Sequence, residues 1–114
     1  MSEKFREVFY FKRYFREFLV KQRKKVIEKI AWTIDLIETI RFPSEQYLKQ
    51  LEGTDGLYEI RVISDNDIFR IFCFFDEGKL IVLMNGFQKK TQKTPQREID
   101  KAIKIREEYY AEKE

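Results

Sequence analysis

The stretch Leu80-Ile-Val-Leu-Met-Asn-Gly-Phe-Gln-Lys-Lys-Thr-Gln-Lys-Thr-Pro-Gln-Arg97 decides the fold, because an apolar strand runs directly into a basic loop. Residues 80–84 are apolar without alternation, which is typical of a central strand covered on both faces. The segment after this strand contains no carboxylate, and its cations are Lys89, Lys90, Lys93 and Arg97. Such a segment suits a phosphate chain, because ammonium and guanidinium groups replace the counterions condensed on phosphates.

The patterns on either side of this stretch predict one small domain over residues 1–114. Residues 5–11 read as a strand, and apolar residues at helical spacing between positions 14 and 37 indicate a helical pair. Residues 44–51 could hold one further short helical turn, and two more strand patterns precede residue 76. The predicted fold is α+β: a small antiparallel sheet, made of one N-terminal strand plus a three-strand meander, packed with the helical pair and a C-terminal helix.

The chain contains no histidine and one cysteine, Cys73. This composition excludes the usual zinc sites, the Ser-His-Asp and Cys-His catalytic groups, and an intrachain disulfide. We therefore expect no metal and no cofactor, and we expect Cys73 to be a small core residue. The first residues lack the apolar segment of a signal peptide, and no apolar run approaches the length of a membrane span. We therefore expect a cytoplasmic protein without membrane contact.

Basic residues are concentrated in one part of the chain, although the net charge is only +3. Between Lys79 and Arg106 eight basic residues stand against two acidic ones. Between Gly53 and Gly78 two basic residues stand against six acidic ones. The positive field is therefore local, which favours an anionic partner at one region of the surface.

Arg70 lies in the otherwise apolar segment 68–74, where an unpaired charge would be costly. Two interpretations stay open. In the first, Arg70 belongs to a structural ion pair; the nearby carboxylates are Glu59, Asp65 and Asp67. In the second, Arg61 and Arg70 project from neighbouring strands into one concave face, where Lys89 and Lys90 join them. Such convergence would form a cationic pocket for a scissile phosphate.

Three segments resemble the HigB-like branch of the RelE/ParE toxin superfamily, the toxins of bacterial toxin–antitoxin pairs. They are Gly56-Leu-Tyr-Glu-Ile-Arg-Val62, Phe69-Arg-Ile-Phe-Cys-Phe-Phe75 and, most specifically, Gly86-Phe-Gln-Lys-Lys-Thr-Gln-Lys-Thr-Pro95. The resemblance covers nearly the whole chain and implies the same α+β fold. It further implies a ribosome-dependent endoribonuclease, or mRNA interferase, of a type II pair. The partners would be the ribosome, mRNA and a cognate antitoxin with a helix-turn-helix domain.

In RelE-type toxins the 2′-hydroxyl of the RNA attacks its own phosphate, so the resemblance implies a metal-independent enzyme without a protein nucleophile. The protein orients the RNA and stabilises the charge of the transition state. Matched to the family's motifs, the catalytic residues are Arg61, Arg70 and Lys90. Lys90 would stabilise charge or transfer a proton. The residues expected to bind flanking phosphates are Lys89, Lys93 and Arg97. Glu59 would orient Arg61 or act as a base.

Other features leave alternatives. The cluster around Lys24 is either a solvated helix bend or a contact to ribosomal RNA. Several relatives end in a tail with a catalytic Tyr or His, but this chain has a helix there. We expect Tyr109 and Tyr110 to be packing residues, which leaves the general acid unassigned.

On the same fold, a ParE-like toxin would inhibit DNA gyrase without cutting RNA, and a prophage-borne relative could be an inactive binding module. The convergent cations favour the nuclease.

Overall fold

The computed structural model describes residues 4–113. The elements along the chain are β1 (Glu7–Tyr10), α1 (Tyr14–Leu19), α2 (Lys24–Thr39), β2 (Leu48–Gln50), β3 (Leu57–Ser64), β4 (Asp67–Asp76), β5 (Leu80–Lys89) and α3 (Gln96–Lys113). The result is an α+β fold with a five-stranded sheet and three helices. Among residues 4–113, no helix combines the length and the apolar character needed to cross a membrane.

The five strands lie in the order β1-β5-β4-β3-β2. β3, β4 and β5 form the predicted antiparallel meander. β1, however, runs parallel to β5, with Glu7 opposite Leu80 and Tyr10 opposite Leu83. The prediction of a wholly antiparallel sheet was therefore wrong for the N-terminal strand. Direction is a property of the pair, and the sequence of β1 alone carries no signal for it.

The fifth strand, β2, was missed, since residues 44–51 were expected to hold only a helical turn. The chain does turn there, because the backbone N–H groups of Tyr47 and Leu48 both donate to the carbonyl of Ser44 (3.0 and 3.1 Å). It then pairs antiparallel with β3, Leu48 opposite Ile60. A three-residue strand is too short to show a period of two, so its pairing with β3 determines its conformation.

Helices cover both faces of the sheet. One core joins α1 and α2 to alternate strand residues such as Ile71 and Cys73, and the other joins α3 to residues such as Phe72 and Phe74. Residues 81–84 of β5 are completely buried, which confirms the prediction of a central strand with both faces covered. The absence of alternation in this strand thus reflects two apolar layers, one on each face.

Three contacts position α1 and α2 relative to the sheet. α1 lies directly against β5, since a Cβ added at Gly86 would lie 2.5 Å from the ring of Phe18. At the start of α2, Arg23 pairs with Asp67 (3.2 Å) and Lys25 with Asp65 (2.7 Å). These pairs fix that helix end to the turn between β3 and β4. Because Ile68 lies opposite Lys89, this turn is at the same sheet end as the basic loop.

Candidate active site

Arg61 and Arg70 lie directly opposite each other on β3 and β4. Glu59 precedes Arg61 by two residues, so both point to the same face of the sheet. That face is the one covered by α3, because Glu59 is opposite Phe72 of the α3 core. Phe87 of β5 is opposite Arg70, and Lys89 follows on the same face. Three adjacent strands therefore bring Glu59, Arg61, Arg70 and Lys89 to one area at the end of the sheet.

Glu59 lies between the two guanidinium groups. Its Oε1 is 3.6 Å from Nε of Arg61 and 3.6 Å from Nε of Arg70. Like charges directly opposite each other in a sheet repel, and the shared carboxylate offsets that repulsion. One carboxylate against two guanidinium groups and the Lys89 ammonium leaves the cluster positive. Such a cluster attracts anions.

Arg70 is the buried member of the cluster. Its side chain is 5% exposed, against 30% for Arg61. Burial, followed by the charge of Arg61, lowers the pKa of Arg70, and Glu59 partly offsets this. The sequence did not determine which carboxylate pairs with Arg70, and the structure shows that it is Glu59. Asp65 and Asp67 pair with residues at the start of α2 instead. The ion pair exists, and the catalytic interpretation of Arg70 stays a prediction.

Lys89 is half-buried beside this cluster. Its pKa is lowered, first by burial and then by the charge of Arg70, while Glu59 acts in the opposite direction. An amine with a lowered pKa is more often neutral near physiological pH and can then accept a proton. Sequence reasoning gave the proton-transfer role to Lys90. The predicted strand ended at Met84. If it had been continued, the alternation of side chains would have placed Lys89 on the same face as Phe87, and Lys89 would have been the candidate for proton transfer.

The other predicted residues lie around this cluster and are exposed. Lys90 is the first residue after β5, and Lys93 follows in the loop. Arg97 stands in the first turn of α3, with its side chain 87% exposed. Lys24 is the first residue of α2, whose start is fixed to the turn between β3 and β4. All of them are therefore at the same end of the sheet as Lys89.

Neither Tyr109 nor Cys73 has the surroundings of a catalytic group. The Tyr109 hydroxyl donates to Asp76 (2.7 Å) at the opposite end of β4. Burial, and then the hydrogen bond to Asp76, raise the pKa of Tyr109 to about 12. Tyr109 also packs against Phe11 and Phe74, as expected for a core residue. Burial raises the pKa of the Cys73 thiol as well, so the thiolate is disfavoured. Within residues 4–113, no group of acidic or thiol side chains is arranged to hold a metal ion.

The five-stranded mixed sheet and its three helices are similar in fold to RelE. The chain is similar to one chain in the crystal structure of the archaeal RelE–RelB complex from Pyrococcus horikoshii OT3. The TM-score is 0.54 at 20% identity, with 79% of this chain and 99% of that chain covered.

The family model described as phage derived protein Gp49-like (DUF891) matches residues 17–107. The chain therefore belongs to the Gp49-like family. No curated protein matches it. Its narrower assignment to the HigB-like branch stays a prediction.

Proposed function

We propose that this protein is a toxin of the RelE superfamily that cleaves mRNA on the ribosome. The observation that supports this most strongly is the convergence of Arg61, Arg70 and Lys89 on one sheet face around a single carboxylate. Membership of the Gp49-like family and the RelE-like fold are consistent with it. A protein that only bound another protein would have no need of convergent cations around one position.

In the proposed reaction the 2′-hydroxyl of the RNA is the nucleophile. Its oxygen bonds to the neighbouring phosphorus while the bond from phosphorus to the 5′-oxygen breaks. The products are a 2′,3′-cyclic phosphate and a free 5′-hydroxyl. No protein nucleophile and no metal are required, so the protein contributes orientation and charge.

Each residue of the cluster receives a role from its position. Arg61, the more exposed guanidinium, donates to the phosphate oxygens. Arg70 is buried beneath it, so we assign to it a through-space stabilisation of charge rather than the direct phosphate contact expected from sequence. Neutral Lys89 takes the proton of the 2′-hydroxyl, a role we move from Lys90 to Lys89. Glu59 orients both arginines, and the leaving 5′-oxygen takes a proton from water.

We further propose a cytoplasmic toxin that is neutralised by a cognate antitoxin. The similar archaeal chain was crystallised as a RelE–RelB complex. By analogy, a small protein encoded beside this one, with a helix-turn-helix domain, would bind and inactivate it.

The test is a cell-free translation reaction with a defined message, with and without ribosomes. We expect truncated messages only when ribosomes are present. Arg61→Ala and Lys89→Ala should each slow cleavage by about two orders of magnitude or more, the effect of losing one preorganised charged group. Lys79→Ala is the matched control, because Lys79 is an exposed lysine at the opposite end of the sheet.

Three outcomes would contradict the proposal. Efficient cleavage of naked RNA would remove the ribosome dependence. Folded Arg61 and Lys89 variants that cleave at the wild-type rate would remove the active site. Inhibited DNA supercoiling with intact messages would place the protein among gyrase inhibitors.

A further inference from the structure

A groove runs between α1 and α3. It consists of two cavities of about 560 and 200 Å³ that share Tyr14 and Lys101 in their walls. Asn85 and Gly86 of β5 line the smaller cavity. β1 ends at Tyr10, opposite Leu83, so these two residues lie beyond the last paired position on that side of β5.

Both walls of the groove carry cations. Arg97, Lys101 and Lys104 line the larger cavity at positions i, i+4 and i+7 of α3, which places them on one side of the helix. Lys21, just after α1, lines the smaller cavity together with Lys101. In the part of the chain that the structure describes, Lys21, Lys101 and Lys104 form no ion pair.

The carboxylates of the groove already have other partners. Glu108 accepts hydrogen bonds from Lys12 (3.0 Å) and from the Tyr14 hydroxyl (2.5 Å). Glu17, in the wall of the smaller cavity, pairs with Arg13 (3.6 Å). Asp100 accepts only from the neutral amide of Gln96 (3.0 Å), so it keeps its charge. Four cations in the walls stand against this one carboxylate without a cationic partner, which leaves the groove positive and complementary to a negatively charged chain.

The row of cations is connected along the chain to Lys89 of the candidate active site. Lys93 precedes Arg97 by four residues in the loop that starts after Lys89. Positive charges thus follow the chain from the sheet end, through the loop and along α3 to Lys104. A polyanion whose scissile phosphate lay at Arg61 and Lys89 would have its neighbouring phosphates beside this row.

We propose that the groove between α1 and α3 binds single-stranded RNA that extends from the cleavage site. This inference rests on the proposed function, because the continuity of the cations with that site favours RNA over an acidic peptide. Lys21 and the cations of α3 contact successive phosphates from opposite walls. Tyr14, half-buried in the wall shared by both cavities, would stack its ring on a base.

The experiment compares Lys101→Glu with Lys79→Glu, two exposed lysines whose replacement changes the net charge equally. The probe is a fluorescein-labelled 2′-O-methyl oligouridylate, which lacks the attacking hydroxyl, and binding is followed by anisotropy at several salt concentrations. We expect Lys101→Glu to weaken binding about tenfold and to reduce the slope of log K against log salt by about 0.7 per lost phosphate contact. Lys79→Glu should weaken binding much less. A shorter probe that spans only the cleavage site should not distinguish the two variants.

The possible results separate this inference from the proposed function. Equal binding by the two variants, or no binding of the oligouridylate by the wild type, would contradict RNA binding in the groove, whatever the cleavage assay shows. A polyglutamate peptide that binds as tightly as the RNA and responds equally to Lys101→Glu overturns the RNA assignment in favour of an acidic peptide. If Lys101→Glu weakens RNA binding selectively but no message is cut on ribosomes, the result supports RNA binding in the groove and contradicts the proposed cleavage of mRNA. Melting temperatures of both variants check that each is folded.

Discussion

At the scale of single residues, one buried carboxylate organises the site. Glu59 is 3.6 Å from both Arg61 and Arg70, and no other described acid pairs with either arginine. Burial first, and then the charges of Arg70 and Arg61, lower the pKa of Lys89. The charges of the cluster are thus coupled, and this coupling supports the proposed proton transfer by Lys89.

The first prediction concerns the pH dependence of cleavage. Because neutral Lys89 is the proposed base, the single-turnover rate should rise with pH and level off as the pH passes its lowered pKa. Lys89→Arg should abolish this rise, since a guanidinium stays protonated. Arg70→Gln removes the neighbouring charge that lowers the pKa, so it should shift the rise to higher pH. The rate is measured on ribosomes at a series of pH values.

Lys90→Arg is the matched control, and its pH profile should keep the wild-type shape. A profile that flattens in Lys90→Arg and not in Lys89→Arg would return the proton transfer to Lys90. Melting temperatures of the Arg70 and Lys89 variants show whether any loss of rate comes from unfolding.

At the scale of elements, α3 is fixed at both of its ends. Near its start, Nδ2 of Asn85 donates to the backbone carbonyl of Glu98 (3.1 Å). Near its end, Asp76 accepts from the Tyr109 hydroxyl (2.7 Å) and from Lys113 (2.8 Å). The helix therefore spans the sheet from the candidate site to the far hairpin, and it holds one wall of the groove in place.

The second prediction concerns this far anchor. Lys113, and then Tyr109, lower the pKa of Asp76 below its usual 3.8. The ion pair therefore stabilises the fold above the unfolded pKa, and this contribution is lost as the pH falls through the lower folded pKa. Asp76→Asn should lower the melting temperature at neutral pH, with a deficit that shrinks below about pH 3.8. Tyr109→Phe should cost about 1–2 kcal/mol, because it leaves a buried acceptor with one partner fewer.

Tyr110→Phe is the control, since Tyr110 is 41% exposed and should tolerate the change. Thermal unfolding followed by circular dichroism measures all three variants. A deficit of Asp76→Asn that is undiminished at pH 2 would show that packing, rather than charge, holds the end of α3.

At the scale of the whole molecule, the two ends of the sheet differ in charge. The end of β5 carries Lys89 and Lys90, and the start of α2 adds Lys24 beside it. At the opposite end, in the β4–β5 hairpin, the charges are mixed: Asp76 and Glu77 pair with Lys113, and Lys79 lies two residues after Glu77. Cations concentrated at one end would orient the protein toward the phosphate-rich surface of the proposed ribosomal partner before specific contacts form.

The third prediction tests this orientation through Lys24. Lys24→Ala should weaken binding to ribosomes, with a deficit that is largest at low salt and shrinks as the salt concentration rises, because the variant makes one phosphate contact fewer. Lys79→Ala removes the same charge from the other end and should bind like the wild type. Cosedimentation with ribosomes at several salt concentrations measures both variants. Equal binding by the two variants would show that the cluster around Lys24 is only a solvated helix bend and does not contact ribosomal RNA.

The sequence alone determined the features that depend on local pattern. The unbroken apolar run of residues 80–84 indicated a central strand, and residues 81–84 are completely buried. The ion pair that was one of the two interpretations of Arg70 is confirmed, with Glu59 as the partner. The α+β class, the meander and the burial of Cys73 followed from the same kind of reasoning. These features are predictable because the spacing of apolar and polar residues along a short segment indicates which side chains are buried.

Only the tertiary structure decided what depends on pairs distant in sequence. It placed β1 parallel to β5, turned residues 48–50 into a strand and gave Arg70 one carboxylate of the three available. It brought Lys89 beside Arg70 and opened a groove between Lys21 and Lys101, residues 80 positions apart. Strand register and helix packing are chosen by the burial and hydrogen bonding of the whole domain, and no local pattern encodes them.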